Sequence, residues 1–151
     1  MRRPIFALML ALPLAVAIGA ETTIPDPPAA LQNQAQFQRL SPPHSLPKEV
    51  FHLCADANGL LAAPGERWNP IDVAVNGMPT RRLIWAYQSE VFIVVHYEQG
   101  GFVHSNHVLV ARIRPNAGGF DVSWRAEGPR LQDYRDFIRE LDANVFQPEP
   151  Q

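Results

Sequence analysis

Val91-Phe92-Ile93-Val94-Val95-His96-Tyr97 is the stretch from which the fold is read. It is short, almost wholly apolar and rich in β-branched residues. Those properties predict a central strand covered on both faces rather than a helix. Upstream, Ser89-Glu90 predicts a tight hairpin back to a strand over Arg81 to Gln88. In that segment Leu83, Trp85 and Tyr87 alternate with Arg82, Ile84 and Ala86. Further upstream, Ile71, Val73 and Val75 alternate with Asp72 and Ala74, predicting a first strand that ends at the turn signal Asn76-Gly77 with Pro79. Downstream, Gly100-Gly101 reads as a two-residue hairpin turn into a long strand from Phe102 to Arg114. Pro115-Asn116-Ala117-Gly118-Gly119 then turns the chain into a fifth strand, where Phe120, Val122 and Trp124 alternate with Asp121, Ser123 and Arg125.

Helical spacing flanks this meander. Pro47 suits a first helical turn, Val50, Phe51, Cys54 and Ala57 share one face, and Gly59 is placed as a terminator. After Gly128-Pro129, Leu131, Tyr134, Phe137, Ile138 and Leu141 form an apolar stripe for a carboxy-terminal helix. The expected fold is α+β: an antiparallel meander of about five strands, with both helices packed on one face.

The two ends of the chain read differently. Arg2-Arg3, an apolar run from Ile5 to Ile18 and the small residues Gly19-Ala20 have the order of a secretory signal. The run is short for a membrane span, which takes about 20 apolar residues, so cleavage after Ala20 is expected, with no stable membrane insertion afterwards. Residues 21–45 are rich in Pro and Gln, with sparse apolar positions at Leu31, Ala35, Phe37 and Leu40, and read as a flexible segment. Residues 46–146 are then a single domain and 147–151 a tail.

Composition excludes several classes of function. Of thirteen basic and fifteen acidic residues, the signal holds two basic ones, leaving eleven against fifteen and a formal charge of −4. No basic cluster stands out, which argues against nucleic acid as a partner. The lone Cys54 cannot form an intramolecular disulfide, so stability must come from an apolar core.

The candidate chemistry lies in His96-Tyr97-Glu98-Gln99-Gly100-Gly101-Phe102-Val103-His104-Ser105-Asn106-His107. A two-residue loop sets His96 opposite Ser105 and Glu98 opposite Val103. His96 and His107 then lie diagonally on one face with Glu98 beside them, and His104 points to the other. A three-residue loop reverses this parity. A four-residue loop in the next hairpin sets Ile113 opposite Phe120. It gathers Phe92, Val94, Leu109, Ala111, Ile113, Phe120, Val122 and Trp124 on one apolar face, and Arg112 and Arg114 point outward. Two histidines and a carboxylate can hold a divalent metal with a position left for water. Cys54 with His52 invites a nucleophile reading, against which stands the inertness of a small buried thiol. Ser105 is not read as part of a triad, because it lies mid-strand and no Gly-x-Ser-x-Gly elbow is present.

The function these observations favour is that of a small periplasmic or secreted protein that binds another protein, as inhibitors and immunity proteins do. Tyr97, Glu98, Gln99 and Phe102 at the Gly-Gly hairpin are its expected contacts, and no cofactor is needed. The alternatives are a periplasmic enzyme using His96, His107 and Glu98 around a divalent metal, an enzyme using Cys54, and a structural envelope component.

Overall fold

The computed structural model describes residues 27–41, 45–73, 75–116 and 118–149. The signal segment 1–20 lies outside the described residues. In chain order the elements are β1 (Gln38–Arg39), α1 (Lys48–Cys54), β2 (Arg81–Gln88), β3 (Phe92–Gln99), β4 (Ser105–Ile113), β5 (Phe120–Gly128), α2 (Tyr134–Asp142) and β6 (Gln147–Pro148). The strands form one antiparallel sheet in the order β1-β2-β3-β4-β5-β6. The α+β class is as expected. The strands are four long ones with a two-residue strand at each edge.

β3 is buried along almost its whole length, so apolar side chains project from both sides of the sheet. Phe92 and Val94 on one side meet Trp85, Val108, Val110 and Trp124, and α2 covers this first face with Tyr134, Phe137 and Ile138. Ile93, Val95 and Tyr97 on the other side meet Leu83, Leu109 and Ala111, and α1 covers this second face with Val50 and Cys54. The helices thus pack on opposite faces, not on one. A sheet whose central strand is apolar on both sides leaves either face costly to expose, and each needs its own cover.

α1 stops at Cys54, short of the expected Gly59. The carboxylate of Asp56 takes over the backbone there, accepting N–H groups from Asn58, Leu60 and Thr80. Burial alone would raise the Asp56 pKa, yet the bonds from Thr80, Leu60 and Asn58 hold it below the ordinary carboxylate value. α2 begins where Asp133 caps it, accepting the Asp136 N–H at 3.0 Å.

Three further expectations change. Ile71 and Val73 do not lie in a ladder strand: Ile71 makes one isolated bridge to Gly101, and Ile71, Val73 and Val75 are exposed. Residues 27–41, read as part of a flexible segment, dock on the first face. Leu31 and Phe37 are buried there, Phe37 stacks on Tyr134 with ring centroids 4.5 Å apart, and the Tyr134 hydroxyl donates to the Leu31 carbonyl at 2.9 Å. Short 3-10 turns at Ala29–Gln32 and Gln34–Gln36 lead into β1, whose pairing with β2 ties the same segment to the edge of the sheet. At the other end, the expected tail supplies β6, and Phe146 packs so closely on Gly128 that a Cβ there would overlap its ring.

Candidate functional site

The β3–β4 hairpin determines which polar side chains meet. Gln99 pairs with Ser105, so the loop is 100–104 and not Gly100-Gly101 alone. The Gly100 N–H donates to the Thr80 carbonyl at 2.8 Å, and that of Gly101 to the Pro70 carbonyl at 3.3 Å. Gly100 lies against the backbone of Asn69 and Pro70, where any Cβ would collide. The glycines therefore serve close backbone approach to the 69–71 segment rather than a tight turn. Relative to the two-residue reading, β4 is displaced by three residues, an odd number, which turns it over.

The expected metal trio is broken up by this parity. Tyr97 pairs with His107 and His96 with Val108, placing the two histidines on opposite faces. The His96 Nδ1–H donates to the His107 carbonyl at 2.9 Å, and its Nε2 accepts the Leu131 N–H at 3.0 Å. Both ring nitrogens are thus engaged. Burial pushes the His96 pKa down to about 4, helped by the nearby Arg130 charge and only partly opposed by its bond to His107 and by Glu98. Among the described residues no group of three or more His, Cys, Asp or Glu side chains could hold a metal ion. Cys54 is fully buried, and desolvation pushes its thiol up to about 12, so it holds no thiolate near neutral pH.

Glu98 stays on the first face with His96 and is completely buried. Its Oε1 accepts from Arg82 Nε at 2.6 Å, and its Oε2 meets His104 Nε2 at 3.0 Å and Arg130 Nη1 at 3.1 Å. A carboxylate removed from water is tolerated when its lone pairs are filled in this way. Trp68 completes the group, with the Arg82 guanidinium 5.0 Å from its ring and the His104 ring 5.4 Å away at an edge-on angle. Loop 100–104 is therefore held from below by His104 and at its base by Gly100 and Gly101.

Of the four expected contact residues, Phe102 alone stands out in solvent. Tyr97 is buried, stacked on His107 at 5.2 Å under the Arg81 guanidinium; Glu98 is internal; and Gln99 accepts from Arg81 Nε at 2.9 Å. Phe102 is 93% exposed and Val103 70%, beside Ile71 at 54% and Val73 at 63%. The two loops are joined by the Ile71–Gly101 bridge, and buried Asn69 folds its own loop by donating to Val73 O at 2.7 Å and accepting from Ile71 N at 3.2 Å.

On the second face, Ser105 Oγ lies 2.8 Å from His107 Nε2, and His107 Nδ1 lies 2.8 Å from Glu149 Oε1. Sequence reading missed this set. Ser105 and His107 are two apart on one strand face, but Glu149 arrives from the segment taken for a tail. Arg125, the residue whose carbonyl accepts the Glu149 N–H at 2.8 Å, has a buried Nε without a hydrogen-bond partner among the described residues.

No protein-family model, curated protein or solved structure matches this chain. No described helix is long and apolar enough to cross a membrane.

Proposed function

We propose that the chain is a small exported protein-binding module of the inhibitor or immunity type, working in the periplasm or outside the cell. Its contact surface is the double loop carrying Phe102, Val103, Ile71 and Val73, and its partner presents an apolar cleft to receive them. The observation that carries this reading is the near-complete exposure of Phe102 on a loop whose base is firmly anchored. Leaving a phenylalanine in water forgoes about 1.5–3 kcal/mol of burial, and clustered exposed apolar side chains mark interaction sites. An anchored loop also loses little conformational freedom on docking, which favours affinity. Glu98, His104 and Arg82 hold the loop up from within and do not themselves touch the partner. Export rests on the amino-terminal signal pattern.

A photo-reactive amino acid placed at position 102 in the exporting host tests the proposal, with Glu90 at the opposite end of the sheet as control position. One discrete cross-linked adduct from position 102, absent from position 90, is the expected result. Equal or absent cross-linking at the two positions would refute it.

A further inference from the structure

Ser105, His107 and Glu149 take no part in the binding surface, and their chemistry is independent of the binding reading. An ionised carboxylate can only accept hydrogen bonds, so the bond between His107 and Glu149 places the imidazole proton on Nδ1. Nε2 is then the acceptor, and the Ser105 hydroxyl donates to it. This is the order in which a carboxylate orients a base and the base draws the proton from a hydroxyl nucleophile. Three elements hold it in place. Alternation along β4 puts Ser105 and His107 side by side on the second face. The Tyr97 ring stacks on the imidazole at an interplanar angle of 15°, which fixes its plane. The pairing of β6 with β5 delivers Glu149 next to Arg125, whose carbonyl accepts its N–H. Ser105 opens β4 directly after the exposed loop and is only partly buried.

We infer that Ser105 is a nucleophile activated by His107 and Glu149, and that the site accepts a carboxylic ester. Ser105 Oγ forms a bond to the acyl carbon as its proton passes to His107 Nε2. The ester C–O bond breaks, the alcohol leaves with that proton, and an acyl-serine remains. Water then attacks by the same route, giving the carboxylic acid and the free serine, so protons and electrons balance without a co-reactant other than water.

The test is a fluorophosphonate incubated with the full mature chain, native and urea-denatured, followed by peptide mass mapping. Attack by Ser105 forms an Oγ–P bond and expels fluoride. The expected result is one adduct per chain on Ser105 in the native protein and none after denaturation. Glu149→Gln should slow labelling by at least about a hundredfold, because an amide can donate to Nδ1 and no longer holds the imidazole in the tautomer that accepts the serine proton. The same native protein should hydrolyse p-nitrophenyl acetate, and Ser105→Ala should not. A native protein with no Ser105 adduct, or one labelled no faster than the denatured chain, would overturn the inference and leave the trio as a latch for the carboxy-terminal strand.

Discussion

Acidification should unfold this protein partly through one residue, His96. Its imidazole is fully buried, donates to the His107 carbonyl and accepts from the Leu131 N–H. Protonation would add a charge in the core and turn the accepting Nε2 into a donor aimed at another donor. The folded-state pKa is accordingly pushed from 6.5 down to about 4. Linkage sets the sign. Above pH 6.5 both folded and unfolded His96 are neutral and nothing is lost. Between 6.5 and 4 the unfolded chain takes up a proton that the folded chain refuses, so stability falls as pH falls. At about 1.4 kcal/mol per unit, the loss across that window is about 3 kcal/mol, a sizeable share of the usual 5–15 kcal/mol. Urea titrations at pH steps from 7.5 to 4.0 on the parent and on His96→Gln would measure it. Gln keeps a donor and an acceptor but does not titrate, and the other ionisable groups are common to both proteins. The stability gap between them should narrow by about 3 kcal/mol on acidification. A gap that stays constant across the window would refute the reasoning.

Leu31→Ala should cost about 2–5 kcal/mol as a buried large-to-small change, measured by urea titration; a free amino-terminal segment would show no loss. Phe137→Ala should cost about 3–5 kcal/mol, since its ring meets Trp85, Trp124, Tyr134 and Phe146. Cys54 should resist iodoacetamide at pH 8 in the native protein and react once urea unfolds it; rapid native alkylation would contradict its burial.

Much of the sheet was legible in local sequence. The apolar run of β3, the pairing of Ile113 with Phe120 and the stripe of α2 appear where periodicity put them, whereas the alternation of β2 breaks at a register shift between Leu83 and Trp85 that puts Leu83 on the second face and Trp85 and Tyr87 on the first. What escaped depends on contacts between distant segments. The union of Trp124 with Ile113 on one face failed at a bulge between Val110 and Ala111, and a bulge leaves little local trace. β3 itself announced that both faces needed cover, which is why α1 and α2 divide them. Leu31 and Phe37 looked too sparse to anchor a segment, because the aromatic surface that receives them lies about a hundred residues away at Tyr134. The same holds for the sites: Glu98 was singled out, but its partners Arg82 and Arg130 come from other elements, and Glu149 was invisible because its strand pairing is long-range.

A single odd displacement in the β3–β4 register dissolves the metal trio, raises Phe102 into solvent and joins His107 to Glu149, so the two proposals can be separated at that loop. Deleting Phe102, Val103 and His104 would leave Gly100-Gly101 as a two-residue turn, with Gln99 still opposite Ser105 and every face unchanged. The deletion removes the His104–Glu98 bond from a buried carboxylate that keeps Arg82 and Arg130, a loss of about 1–3 kcal/mol, and loop shortening returns a fraction of a kcal/mol. The shortened chain should therefore still fold cooperatively in urea, with its stability lowered by no more than about 3 kcal/mol. It should lose partner capture, because the apolar tip is gone, and keep fluorophosphonate labelling at Ser105, because Tyr97, His107 and Glu149 lie on the second face beyond the cut. Persistent capture would sink the tip as the binding surface. Loss of labelling in a folded deletion would show that loop 100–104 shapes the serine site and that the two surfaces are one.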